Sequence, residues 1–282
     1  HKQATKVLMK RAALVLELGE LIDILEYDRN QNEIMHVIRD FIEGDDACVA
    51  IDAVKGFGKD VVRNMASILG RKICSSKSLE REKYVIKVSV VANIALVYKM
   101  FYRRKQYMYI DREPHRRPCY RPGTMKPVLA RAFVNLAKVS STKHEVVLDP
   151  FCGVGGFAIE ACLMGLRAIC GDIDDAMVKG ARCNTENFGC DSYVDIIEAD
   201  ACSKTYASFR VDGIATDPPY GHQSIPRGII SLKELFKQFV DVAYDALKDG
   251  RYMVFAAPIE LSNYIDRQLI DRKFTIAEKH ID

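Results

Sequence analysis

No stretch of about 18 unbroken apolar residues occurs in the chain, so nothing in it reads as a membrane span. The best run, Val85 to Phe101, is broken by Lys87, Ser89, Asn93 and Lys99. No charged-then-apolar leader opens the sequence, which starts at His1 rather than Met, and no signal peptide is expected. Cys-x-x-Cys pairs are missing and there are only six His, so zinc spacing is absent and no metal is expected. No glycine-rich turn is followed by Gly-Lys-Ser/Thr, which excludes a P-loop. Internal repeats and low-complexity tracts are lacking too.

What is present is ordinary for a soluble globular protein: 282 residues, 49% hydrophobic and 28% charged. That is enough chain for one large domain or two small ones. Nine cysteines, an odd number, read as small buried apolar residues left unpaired in a reducing cytoplasm. The net charge of +3 conceals a strong asymmetry. Residues 1–54 carry −5, residues 132–282 carry −6, and residues 55–131 carry 19 Lys/Arg against 5 Asp/Glu. A compact tract with that excess neutralises phosphates and releases counterions, so nucleic acid is favoured over a merely solvated surface.

Periodicity divides the chain. Ala12 to Leu18 and Cys48 to Val54 read as strands, Gln31 to Ile42 and Lys59 to Leu69 as amphipathic helices, and Lys83 to Tyr102 as a hairpin turning near Asn93. Residues 1–102 are therefore expected to form a small α+β domain. Residues 103–126 look like a basic linker punctuated by Pro114, Pro118 and Pro122. The basic candidates for RNA are Lys55, Lys59, Arg103, Arg104, Lys105, Arg116, Arg117 and Arg121, with Tyr107, Tyr109 and Tyr120 available to stack on bases. From residue 127 to 282 helices and strands alternate, ending in a strand at Phe274–Lys279, which predicts a parallel, doubly wound α/β sheet.

The chemistry gathers at predicted strand ends. Val146 to Gly156 joins a buried strand to a helix through Pro150, Phe151, Cys152, Gly153 and Gly155. Glycines there let backbone approach a ligand, and the helix N-terminus offers free N–H groups. Asp172 ends the next strand, where a carboxylate can accept hydrogen bonds from both ribose hydroxyls, and Asp200 after the third is placed to meet an adenine amino group. By itself this pattern says only that an adenosine-containing cofactor binds.

Asp217-Pro218-Pro219-Tyr220 narrows the choice. Two prolines remove backbone donors and hold the chain extended, leaving the Asp217 carboxylate and Pro218 carbonyl as acceptors pointing the same way. Gripping both hydrogens of an exocyclic amine aims its lone pair at an electrophilic methyl, while Tyr220 can stack on a base drawn from its pairing. A nicotinamide dehydrogenase has no use for that group. Cys152 reads as packing, and His222 as a solvated loop histidine.

These residues resemble a known family. Asp149-Pro-Phe-Cys-Gly-Val-Gly-Gly, Gly171-Asp-Ile-Asp and Asp217-Pro-Pro-Tyr-Gly221 look like Rossmann-fold S-adenosylmethionine-dependent amino-methyltransferases. Arg121-Pro-Gly-Thr-Met-Lys-Pro127 and Ala181-Arg-Cys-Asn184 resemble, more narrowly, the archaeal tRNA (guanine-10-N2)-methyltransferases. The resemblance implies an α/β Rossmann-fold methyltransferase sheet preceded by a smaller α+β THUMP-like RNA-binding domain, to which Lys55-Gly-Phe-Gly-Lys59 would belong. It implies that Asp149 to Gly155, Asp172 and Ile173 hold the methionine and ribose of S-adenosylmethionine, with Asp200 and Ala201 beside the adenine. Thr124 lies in the segment that would close over the cofactor, and Asp217 to Tyr220 would hold the target guanine. The implied partner is tRNA, in the cytoplasm and away from membranes; the sequence is silent on oligomeric state, and a monomer is expected. Residues 1–45 are short for that family's N-terminal subdomain and the sheet lacks a last strand pair, so both ends are expected to be trimmed. Two other readings stay open at this point: the same chemistry on another amine, such as adenine N6 in RNA or DNA, and a tRNA-binding protein without turnover.

Overall fold

Two units make up the protein, Val15–Met108 on one side and His1–Leu14 with Tyr109–Asp282 on the other. The computed structural model describes residues 11–26, 33–34, 36–38, 47–53, 67, 84–91, 94–104, 108–220 and 231–281. Among the described residues no helix is long and apolar enough to cross a membrane.

The smaller unit is a four-stranded sheet of β1 (Glu17–Glu26), β2 (Ala47–Ala53), β3 (Tyr84–Val91) and β4 (Ile94–Arg103), in the order β1-β4-β3-β2. β3 and β4 form the expected antiparallel hairpin, β1 joins β4 antiparallel, and β2 runs parallel to β3. Residues 33–34 and 36–38 are helical, within the expected helix at 31–42, the rest of which lies outside the described residues. The Lys59–Leu69 helix also lies outside them apart from Ser67, as do Lys55, Lys59 and Lys105. The first strand departs from expectation. It begins at Glu17 rather than Ala12, because Ala12 and Ala13 are buried in the other unit. There the Tyr109 hydroxyl donates to the Ala12 carbonyl at 3.1 Å, and Arg11 and Asn135 exchange side-chain and backbone bonds.

The larger unit is a parallel sheet. Its strands are β5 (Val146–Asp149), β6 (Arg167–Asp172), β7 (Val194–Glu198), β8 (Val211–Thr216) and β9 (Leu247–Phe255), in the order β7-β6-β5-β8-β9. The helices are α1 (Pro127–Leu136), α2 (Gly156–Leu163), α3 (Asp175–Asn187), α4 (Leu232–Ala246) and α5 (Ser262–Asp271). Successive strand residues point to opposite faces, so Val147 and Leu148 of β5 enter two different cores. Val147 packs with Val134, Phe157 and Ala181 of the first three helices, Leu148 with Phe236, Phe239 and Ile265 of the last two. The sheet is thus covered on both sides, and β8 is buried along all six residues. Pro127 occupies the first position of α1, where a missing N–H costs no helical bond. Asp174 caps α3 by accepting from the Ala176 N–H at 2.9 Å.

Three expectations are corrected here. Residues 109–126 are not a linker. Ile110–Arg112 and Pro114–Arg116 are 3-10 turns; Arg112 Nε lies 2.6 Å from Glu160 Oε1, and the Cys119 backbone is bracketed by the Asn184 amide at 3.0 and 2.8 Å. Those partners lie 48 and 65 positions away, so the charge looked unmatched in the linear chain. Phe274–Lys279 is not a strand. The Phe274 N–H closes α5 by donating to Leu269 O at 2.9 Å, and its ring meets Tyr244 edge-on instead of entering a ladder. Nor are the cysteines all unpaired, since Cys162 and Cys190 form a disulfide, their Cα atoms 5.8 Å apart. The end of α2 and the turn after α3 create that proximity.

Gly171 shows how tightly the carboxyl end of β6 is packed. A Cβ there would stand 1.8 Å from the hydroxyl of Tyr206, a fully buried side chain that donates to Ala199 O. Gly171→Ala is expected to cost about 1–3 kcal/mol through overpacking. Thermal unfolding should report it as a midpoint lower by roughly 2 °C or more. An unchanged midpoint would mean that Tyr206 swings aside freely.

Candidate active site

β5, β6, β7 and β8 each deliver a carboxylate at or just beyond their carboxyl ends: Asp149, Asp172, Asp200 and Asp217. They converge because the chain winds outward from β5 to β7 and then crosses back to β8. This reversal of strand order opens a crevice above β5. Into it projects the turn between β5 and α2, with Gly153 at φ 50° and Gly155 at φ 84°, conformations that favour glycine. A Cβ on Gly155 would also press on Ala181 at 3.3 Å, so the residue admits the close approach of α2 to α3.

Asp172 pins this turn. Its Oδ2 accepts from the Gly153 N–H at 2.9 Å and its Oδ1 from the Asp174 N–H at 3.0 Å, which fixes the carboxylate and leaves lone pairs for a ligand. Asp149 stands deeper. Its Oδ1 accepts from the Thr216 hydroxyl at 2.6 Å and the Phe151 N–H at 3.3 Å, while Oδ2 is buried without a partner. Burial, opposed by those two bonds and reinforced by Asp172 and Asp217, pushes the Asp149 carboxyl up to about 7. Burial also raises Asp172 and Asp217. The Tyr220 hydroxyl donates to Asp217 Oδ1, and burial together with that bond pushes the phenol up. Cys152 is held as an inert thiol, raised by its hydrogen bond with Cys170 and by burial.

A cavity of about 530 Å³ occupies the crevice, within the usual range for small-molecule sites. Pro150, Phe151, Cys152, Gly153, Asp172 and Ile173 line it. Asp200, Ala201, Asp217 and Pro219 line it further along, and Thr124 lies on its rim. Asp149, Gly155, Pro218 and Tyr220 do not line it. Sequence reasoning missed Met125, Met177, Glu198 and Leu235. Glu198 ends β7, so the strand-end rule applied to Asp172 would have found it; Leu235 carried no signal beyond being apolar on a helix.

The RNA candidates scatter. Arg116 is exposed, with Asp111 at 4.0 Å, and Arg121 is an exposed residue on the rim of the cavity. Arg103 approaches Glu17 at 3.5 Å, and the Arg104 N–H pairs with Leu16 O. Arg117 is only 4% exposed, which corrects its assignment to the RNA surface. Tyr109 is buried against the Arg112 guanidinium and is no platform for a base, whereas Tyr120 is exposed. Tyr107 and His222 lie outside the described residues.

This fold and this site define a Rossmann-fold methyltransferase, and residues 114–282 match the family model described as the RMKL-like methyltransferase domain. The chain is 34% identical, over 98% of its length and 80% of the relative's, to the tRNA (guanine(10)-N2)-dimethyltransferase of Methanothermobacter thermautotrophicus. It is 31% identical to the enzyme of the same description from Methanocaldococcus jannaschii, over 84% of this chain and 65% of that one. The chain belongs to the tRNA (guanine(10)-N2)-dimethyltransferase family. The crystal structure of TrmN from Thermus thermophilus shares the fold with a TM-score of 0.55 at 21% identity, covering 91% of this chain and 76% of that one.

The methyl donor of this class is S-adenosylmethionine, and the residues present fit it. Its ammonium and sulfonium are cationic, and the cavity is lined by the carboxyls of Asp172, Asp200 and Asp217. A Cβ on Gly153 would meet nothing within 4 Å, so the turn leaves open space beside its backbone.

The elevated Asp149 carboxyl sets a pH dependence. The unfolded chain releases this proton near about pH 3.9, whereas the folded protein keeps it until about 7. Its contribution to stability is therefore complete below the lower value, falls as pH rises between the two and is lost above the higher. Asp149→Asn removes the ionisation. Urea midpoints at about pH 5 and about pH 8 should show the variant gaining on wild type at the higher pH. A difference independent of pH would overturn this account.

Proposed function

We propose that this protein methylates the exocyclic N2 of guanosine 10 in tRNA, with Val15–Met108 as its THUMP-like RNA-binding module. The observation that carries the reading is Asp217-Pro218-Pro219-Tyr220 following β8, with Asp217 and Pro219 on the cavity wall. Bound S-adenosylmethionine supplies a methyl on positively charged sulfur. Asp217 and the Pro218 carbonyl accept the two N2 hydrogens and orient the nitrogen. Burial raises the Asp217 carboxyl and so makes it a better proton acceptor than an ordinary carboxylate. Tyr220 fixes the Asp217 rotamer through Oδ1, which leaves Oδ2 for the base. Phe151 and Leu235 keep part of the wall apolar, and rate enhancement comes mainly from positioning.

After one transfer N2 retains a hydrogen for Asp217 to hold, so the grip serves a second round, consistent with the dimethyltransferase relatives. The relatives' substrate and the basic tract at residues 55–131 favour tRNA, and with it a cytoplasmic setting.

With labelled S-adenosylmethionine and an unmodified tRNA transcript, nuclease digestion should yield N2-methylguanosine and N2,N2-dimethylguanosine, lost when G10 is replaced by A. Asp217→Ala should reduce transfer by about 100-fold or more while S-adenosylhomocysteine still binds. Turnover retained in that variant would sink the role of Asp217, and label in methyladenosine would move the chemistry to adenine. Binding of tRNA should also weaken steeply with salt, as phosphate neutralisation requires. A flat response would remove the basic tract from the footprint.

A further inference from the structure

Two half-buried thiols meet where the rim of the cavity rests on α3. Cys119 stands just before Arg121 to Met125, consecutive residues that all line the cavity. Cys183 lies in the second half of α3, whose first turn also reaches the cavity through Asp175 and Met177. Gly180, Cys183 and Asn184 are spaced so that they share one face of that helix. Both neighbours of Cys183 on this face touch Cys119. A Cβ on Gly180 would stand 3.5 Å from Cys119 Cβ, and the Asn184 amide brackets the Cys119 backbone at 3.0 and 2.8 Å. The two thiols are hydrogen-bonded to each other, and that bond, ahead of burial, raises the Cys183 thiol.

The other free cysteines among the described residues are placed differently. Cys152 and Cys170 also share a hydrogen bond, but both are buried and closed to a reagent. Cys202 is half-buried and faces Asp200 and the Leu235 carbonyl rather than a thiol. Cys119 and Cys183 combine mutual contact with access from solvent. The rim beyond Cys119 is lightly held. Residues 120–123 are exposed, and Thr124 closes a turn on the Arg121 carbonyl through its N–H at 3.4 Å and its hydroxyl at 2.7 Å. This short arch is anchored through Cys119 on one side and by the start of α1 at Pro127 on the other.

We propose that Cys119 and Cys183 form a redox-modifiable dithiol, which a low-molecular-weight disulfide such as oxidised glutathione converts into a bridge between the cavity rim and α3. One deprotonated protein thiol attacks the reagent, bonding to one of its sulfurs while the other departs and takes up the proton. The second protein thiol, deprotonated in turn, attacks this mixed disulfide and releases the remaining reagent thiol. The two cysteines are oxidised, the reagent is reduced to two thiols, and each released thiol carries one proton from the protein. Because the sulfurs are already in contact, little movement brings them to the bonded distance of about 2.05 Å. The bridge replaces an anchor of hydrogen bonds by a covalent one. Ligands that pass Arg121 to Met125 on their way into or out of the cavity then exchange more slowly. That consequence rests on the cofactor assignment above, whereas the bridge itself does not.

Peptide mass mapping of the full chain, reduced with dithiothreitol and then treated with oxidised glutathione, tests the bridge. A glutamyl protease separates the relevant cysteines by cutting at Glu186, between Cys183 and Cys190. Wild type should give the Cys119 peptide joined to the Cys183 peptide, with no glutathione on either. Cys119→Ser removes the partner and should leave a stable glutathione adduct on Cys183. Adducts on both cysteines of wild type, a bridge from either to a different cysteine, or no reaction at either would overturn the pair. Wild type alone decides this, whether or not the variant folds. Release of radiolabelled S-adenosylhomocysteine should slow by about fivefold or more once the bridge forms. The double variant Cys119→Ser/Cys183→Ser, which keeps Cys162 and Cys190, should release it at one rate with or without the oxidant. Equal rates in bridged and reduced wild type would overturn the hold on the rim. Failure of reduced wild type to bind S-adenosylhomocysteine at all would instead overturn the cofactor assignment, with the peptide map still deciding the bridge.

Discussion

The reversal of strand order beside β5 concentrates acid in one place. β6 pairs on one side of β5 and β8 on the other, so Asp149, Asp172 and Asp217 all end in the same crevice. Removed from water and facing one another, these groups hold their protons more tightly than ordinary carboxylates do. A crevice of that kind favours a cationic ligand. The same burial works against the fold as pH rises, because the unfolded chain ionises Asp149 more readily. The acidity of the crevice and this loss of stability with rising pH thus have a common origin in the sheet topology.

Positive charge is instead taken into the interior behind α2. Residues 109–126 turn several of their charges inward, where Arg112 and Arg131 meet Glu160 and Arg117 reaches the start of α2. Prolines in this stretch shape its turns: Pro114 opens the second 3-10 turn, and Pro122 belongs to the cavity rim. The segment forms part of the site rather than a tether to it.

Local chemistry was readable in the chain, and long-range pairing was not. Gly153 and Gly155 betrayed themselves because the turn demands positive φ, and Asp172 and Asp217 because they follow buried apolar runs. The alternation from residue 127 onward gave away the parallel sheet. Arg117 could not be read correctly, since an arginine beside prolines looks the same whether it faces solvent or a helix end. Glu160, 48 positions from Arg112, carried no linear sign of its partners. The Cys162–Cys190 bridge depends on where α2 and the turn after α3 finish, and no spacing rule encodes that. Phe274 misled because an apolar residue with extended neighbours fits a strand as well as it fits a helix closure.

Asn184 has a consequence for how the protein tolerates change. One side-chain amide donates to Cys119 O and Val154 O and accepts from the Cys119 N–H, joining three stretches of chain. Aspartate has the same shape but presents only acceptors to those two carbonyls, serine is too short to span them, and glutamine is too long for a fully enclosed position. No single exchange preserves all three bonds. Drift in the surrounding sequence must therefore pass around this residue rather than through it.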